Sequence, residues 1–147
     1  MPPAWRIRTT VKTMTHLPRT QLPPIKIRQA EYKRLGHLAD ASAETFPATA
    51  DYLAREIERA TVVSDTAPLV GIVGMESEVT FRDDATGSQK RVKLVYPDAA
   101  DIDAGRVSVL TPIGAALIGL SAGQAISFMT PSGEQKSLTV LDVRGPN

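Results

Sequence analysis

Asp40 and Glu44 flank a predicted turn between two helices, and paired carboxylates at such a tip suit one kind of chemistry. Hard Mg²⁺ prefers oxygen ligands and takes mostly water for the remainder, so two acids on a projecting turn could carry it to a partner's reaction. The bland alternative is a pair of ordinary helix-end acids. Other candidates for chemistry are weaker. His16 lies in the N-terminal stretch and His37 on the first helix, neither with a second ligand at metal-binding spacing. Asp83, Asp84, Asp98, Asp101 and Asp103 are loop acids, read as solvated. There is no glycine-rich phosphate loop with a lysine and no serine in a nucleophile elbow, and the absence of cysteine removes thiolate nucleophiles, thiolate metal sites and disulfides together. The reading is therefore a protein with no catalytic residue of its own, no metal site and no cofactor.

The elements that would hold the two acids begin at Gln29, where Ala30, Leu35, Leu38 and Ala39 fall at helical spacing among charged neighbours, as far as Asp40 to Ser42. A second helix starts at Pro47, a residue suited to the first turn, and puts Ala50, Leu53, Ile57 and Ala60 on one side. Arg55, Glu56, Glu58 and Arg59 are expected to face solvent. The loop Ala43-Glu44-Thr45-Phe46 is too short for anything but neighbouring packing, so residues 24–64 are expected to form an antiparallel, coiled-coil-like helical hairpin. Its stability is expected to come from the seam of Leu35, Leu38, Leu53 and Ile57, because helices this short are marginal alone. Before it, residues 1–23 are rich in proline, threonine and arginine and read as a disordered basic tail, with Met14 as an alternative start. After it, Ser64-Asp65-Thr66-Ala67-Pro68 has linker chemistry.

Residues 70–147 alternate in the manner of strands. Val79 and Phe81 alternate with Thr80 and Arg82, and Val92 and Leu94 with Arg91 and Lys93, across a turn at 83–88. Val107, Val109 and Leu110 form a further strand, Thr111-Pro112 opens a short apolar helix, and Ser121-Ala122-Gly123 hands over to Gln124 to Met129. The last strand, Gln135 to Val143, buries Leu138, Val140 and either Leu141 or Val143. Five strands and one short helix make an antiparallel α+β domain. Either Gly119 or Gly123 is expected to supply the left-handed residue where this helix ends.

A chain of 147 residues that is 42% hydrophobic can bury one core. No run approaches a membrane span and the N-terminus lacks a secretory apolar segment, so a soluble cytoplasmic monomer is expected. The net charge of +1 hides an asymmetry. No acid precedes Glu31, whereas Arg6, Arg8, Lys12, Arg19, Lys26 and Arg28 do, which leaves the remainder acidic. That argues against sequence-specific nucleic-acid binding by the folded part.

The run S-V-L-T-P-I-G-A-A-L-I-G-L, followed by G-Q-A-I, resembles the signature of the C-terminal domain of the Gre transcription factors. With Leu94-Val95-Tyr96-Pro97 and the short N-terminal part, the chain is most similar to the Rnk branch, the regulators of nucleoside diphosphate kinase. The resemblance runs from about Pro24 to Val143 and is strongest from Glu78 onward. It implies an FKBP-like fold for the C-terminal part and RNA polymerase as the partner, engaged at its secondary channel. The link to nucleoside diphosphate kinase, carried by the family name, would be indirect. In Gre factors, acids at the tip of a long coiled coil help hold a second Mg²⁺ for transcript cleavage. Helices of twelve to sixteen residues extend only about 18 to 24 Å, less than that arm, so the resemblance implies binding without cleavage. Cleavage through Asp40 and Glu44 is the alternative. A peptidyl-prolyl isomerase of the FKBP kind is a second one, for which Phe81, Tyr96 and Phe128 offer few aromatic walls and read better as core. Docking candidates by family position are Tyr96, Pro97, Asp98, Ser108, Leu110, Pro112 and Ile113, with Pro112 and Gly114 read first as parts that cap and turn the fold.

Overall fold

The computed structural model describes residues 22–130 and 132–145. The expected basic tail, with Trp5 and His16, lies outside the described residues as far as position 21. Strand β1 (Lys26–Arg28) runs directly into helix α1 (Gln29–Ala41); helix α2 (Pro47–Arg59) returns into strand β2 (Thr61–Val63). β1 and β2 pair in parallel, Ile27 opposite Val62, so the start of α1 lies beside the end of β2. Two further backbone bonds fix this entry, from Lys26 N–H to the Gly119 carbonyl at 3.2 Å and from Thr61 N–H to that of Ile25 at 2.9 Å.

Expectations about this part are corrected. Segment 64–68 is not a free linker but a cap. Arg28 precedes α1 and offers its first turn no side-chain acceptor, and Asp65 Oδ1 supplies one, taking the Ala30 N–H at 2.8 Å. Arg28 in turn donates to the Ala67 carbonyl at 2.9 Å. An anion at a helix N-terminus satisfies an orphan donor and meets the helix dipole favourably. Glu56 and Arg59 do not face solvent, as Glu58 does. Glu56 is 2% exposed, and Arg59 grips it through Nε and Nη2 at 3.1 and 2.8 Å while Nη1 donates to the Pro23 carbonyl. A buried carboxylate is tolerable only with a charged, hydrogen-bonded partner, and α2 supplies one three residues on.

The second sheet contains β3 (Glu78–Asp83), β4 (Gln89–Val95), β5 (Arg106–Ser108), β6 (Ala125–Met129) and β7 (Gln135–Arg144), in the order β5-β4-β3-β7-β6. The α+β class and the five strands agree with expectation, but the sheet is not wholly antiparallel. β4 and β5 run parallel, because 3₁₀ turns at Pro97–Ala99 and Ile102–Ala104 carry the chain back to the starting edge in place of a hairpin. A bulge at Leu141 settles the ambiguity in β7. Phe81 pairs with Val140 and Thr80 with Asp142, so the skipped Leu141 is exposed while Val140 and the partly buried Val143 face the core.

Helix α3 (Pro112–Leu117) closes one face of this sheet. Its Leu117 shares a single buried cluster with Leu35, Leu53 and Ile57 from the helical pair and with Val79, Leu94 and Val140 from the sheet. The expectation that the pair rests on its own seam is thus corrected: Leu38 is only partly buried, and the rest of the seam is completed by the body of the molecule.

Candidate functional site

The parallel β4–β5 pairing is what assembles the candidate loops. Val95 stands opposite Ser108, and Val109 N–H donates to the Val95 carbonyl at 2.8 Å, so Tyr96–Asp98 and Val109–Ile113 leave the sheet together at one end. Pro97 and Asp98 are exposed, and Leu110, Pro112 and Ile113 are half-buried. Tyr96 is half-buried too, with the Arg34 guanidinium carbon 3.7 Å from its ring centroid, close enough for a cation–π contact. Burial raises the pKa of the Tyr96 hydroxyl, Arg34 opposes the rise, and Glu31 and Glu76 add to it.

Ser108 presents little to a partner. It is 8% exposed, its hydroxyl oxygen accepts the Leu110 N–H at 2.9 Å, and its carbonyl accepts the Thr111 hydroxyl at 2.7 Å. Thr111 Oγ1 accepts the Gly114 N–H at 3.0 Å and Pro112 occupies the first helical position, so the cap and proline act as their types predict. Gly114 sits against β5 with no room for a side chain: a Cβ there would overlap the Ser108 carbonyl oxygen and lie 2.8 Å from Val109 Cα. Thr111, Pro112 and Gly114 therefore build the loop that presents Leu110 and Ile113.

Beside these loops lies a groove of about 520 Å³ walled by Phe81, Val107, Ile113, Phe128 and Leu138, with Lys90, Arg106, Lys136 and Asp83 around it. Sequence reasoning placed Phe81 and Phe128 in the core. They are 4% and 5% exposed, and they also floor this groove. Ile102 was not singled out, yet it contributes to the groove and is 85% exposed. The signal available in sequence was an isoleucine held between Asp101 and Asp103 in an otherwise polar loop.

Asp40 and Glu44 stand exposed at the far end of the helical pair, with an exposed Phe46 on the same turn. Among the described residues no group of three or more His, Asp or Glu side chains is disposed to hold a metal ion. Arg34 meets Tyr96 near the middle of α1, so the six residues onward to Asp40 carry the tip only about 9 Å beyond that contact, at 1.5 Å per residue. Among the described residues no helix is long and apolar enough to cross a membrane.

Residues 63–145 match the family described as transcription elongation factor, GreA/GreB, C-term, and residues 23–63 match the Rnk N-terminus. The regulator of nucleoside diphosphate kinase of Escherichia coli K12 is 33% identical over 121 residues, which are 82% of this chain and 89% of that protein. Transcription elongation factor GreA of Chloroflexus aggregans is 32% identical over 139 residues, 89% of this chain and 88% of its own length. A solved prokaryotic elongation factor GreA/GreB from Nitrosomonas europaea superposes with a TM-score of 0.65 at 32% identity, covering 83% of this chain and 98% of its own.

Proposed function

The chain belongs to the GreA/GreB transcription elongation factor family, with an N-terminal segment of the Rnk type, and from that premise we propose that it binds RNA polymerase at the secondary channel and regulates transcription without stimulating transcript cleavage. In this reading residues 24–64 are a short helical hairpin, residues 70–147 an FKBP-like docking module, and the protein acts as a cytoplasmic monomer. Tyr96, Pro97, Asp98, Leu110, Pro112 and Ile113 form the docking end, with Ser108 beneath them. Any link to nucleoside diphosphate kinase is indirect, through transcription.

The observation that carries the reading is the short reach of the tip past the body, about 9 Å beyond the Arg34–Tyr96 contact. Binding needs the docking end with the tip aimed into the channel mouth, whereas cleavage needs Asp40 and Glu44 carried on to a distant active centre. The test is co-purification with core RNA polymerase, competed by a full-length GreA. Retention that the competitor displaces is expected; no association at micromolar concentrations overturns the proposal.

The exposure of both tip acids favours a second reading, in which they assist cleavage. Stalled elongation complexes given the protein and Mg²⁺ would then release short 3′ fragments, and Asp40→Ala with Glu44→Ala would abolish the release. The first reading expects no fragments from the parent protein.

A further inference from the structure

We propose that Glu31 and Arg34 are positioning residues: together they clamp α1 to the 74–77 turn and to Tyr96, and so fix the direction of the Asp40–Glu44 tip relative to the Tyr96–Asp98 loop. Its consequence for polymerase rests on the function proposed above, but the clamp itself does not.

The two residues are three apart on α1 and therefore share a side of the helix. Glu31 Oε2 accepts the Met75 N–H at 3.3 Å, and both its carboxylate oxygens come within 3.5 Å of where a Cβ on Gly74 would lie, so the helix approaches the turn closely. That turn is not loose. Gly74 N–H donates to Ser77 Oγ at 3.1 Å, Leu94 N–H donates to the Ser77 carbonyl at 3.0 Å, and Glu76 N–H donates to the Leu94 carbonyl at 2.6 Å. Glu76 holds a left-handed φ of 67° in this arrangement, an uncommon setting for a residue with a side chain, and its carboxylate reaches Lys93 at 3.7 Å. Arg34 meanwhile stacks on Tyr96, two residues beyond Leu94. Both grips lead to the same strand, β4, whose end is the docking loop.

Apolar packing at Leu35 and Leu53 holds the helix to the body but is non-directional, so it tolerates a change of angle. The carboxylate on a backbone N–H and the guanidinium on a ring are directional and set that angle. α1 is thus the lever between the two ends, and its fulcrum lies at residues 31 and 34.

The chain contains no cysteine, so spin labels at Ala43→Cys and Ser127→Cys report the distance from tip to sheet in the full chain. A narrow distribution is expected for the parent. Arg34→Ala with Glu31→Ala should widen it at least twofold while far-ultraviolet dichroism stays at the parent value, and Tyr96→Leu should widen it from the other side of the contact. Glu31→Gln with Arg34→Lys, which keeps an acceptor and a cation, should restore the narrow distribution, as a loss of general stability would not. Unchanged widths in both the double variant and Tyr96→Leu overturn the clamp. In the competition with GreA, the double alanine variant should need several-fold more protein than the parent. Failure of the parent itself to bind polymerase overturns the proposed function, and the distance distributions then decide the clamp alone.

Discussion

The β5–α3–β6 unit and the α1–α2 pair are each built round short helices, yet they are fixed in opposite ways. α3 is held at the level of the backbone. Thr111 caps it, Pro112 starts it, Gly114 lets it lie against the Ser108 carbonyl, and Gly119 turns it out with φ 81°. The α1–α2 pair is anchored at its entry by the Lys26–Gly119 backbone bond, and beyond that by side chains reaching across the sequence: Asp65 to Ala30, Glu31 to Met75, Arg34 to Tyr96 and Arg59 to Pro23. Fixation through main chain leaves α3 little freedom, and fixation through side chains leaves the direction of α1 dependent on a few contacts.

The largest effect is expected at Gly114. Gly114→Ala sets a methyl group against main chain, which cannot swing aside as a side chain can, and should cost about 3 kcal/mol or more. Urea unfolding checks this. A variant within experimental error of the parent would mean that α3 can move off β5 cheaply, and the contrast between the two regions would fail.

Next in size is Glu56→Ala, which should cost about 2 kcal/mol. It leaves Arg59 with no carboxylate partner, yet stays below the cost for a fully enclosed pair because the Arg59 side chain keeps 17% exposure. Reading Glu56 as a solvent-facing acid expects no more than about half a kcal/mol, so one denaturation curve separates the two.

That difference shows where the sequence was legible. Proline, glycine, hydroxyl caps and strand alternation act on their neighbours in the chain, so the strand, helix, strand unit around Thr111–Gly114 could be read from residue types, as could the burial of Phe128. Spacing of three residues lets Glu56, and not the adjacent Glu58, pair with Arg59, but that the pair is buried with Arg59 also bound to Pro23, more than thirty residues earlier, is not announced locally. Asp65 caps α1 from thirty-five residues away, which no local pattern announces. Of the candidate site, the docking loops were named from family position, but their meeting depends on the parallel β4–β5 pairing, which periodicity does not encode. The groove was missed because Phe81 and Phe128 satisfy the inward alternation equally well as core or as floor.

The two glycines that follow α3 give a smaller test of the backbone half of the contrast. Both have positive φ, 81° at Gly119 and 94° at Gly123, but a Cβ on Gly119 would lie 2.8 Å from Ile25 Cβ whereas one on Gly123 meets nothing within 4 Å. Gly123→Ala should therefore cost about 1 kcal/mol from conformation alone. Gly119→Ala should cost clearly more, and should also loosen β1, whose Lys26 N–H donates to the Gly119 carbonyl. Equal melting temperatures for the two variants would show that β1 yields without penalty.

The smallest expected effect sharpens the side-chain half, at Glu31. Burial is the largest influence on its carboxyl and raises the pKa; the Met75 N–H and Arg28 pull it down, and Asp65 adds to the rise. A carboxyl with a folded pKa above its unfolded value takes up a proton on folding. Its contribution to stability is therefore full at pH below the unfolded value and is lost as pH rises through the folded one. At neutral pH the ionised group is a net cost, which Glu31→Gln removes while keeping an oxygen for the Met75 N–H. The variant should then equal or exceed the parent in urea midpoint at pH 7, by a fraction of what Glu56→Ala costs, and the gap should close on acidification through the ordinary carboxylate range. Taking the difference between parent and variant at each pH cancels the titration of groups common to both. A parent that is instead the more stable at pH 7, with its advantage lost in acid, would mean that Met75 and Arg28 outweigh burial, and that the charge of Glu31 itself holds α1 against the turn.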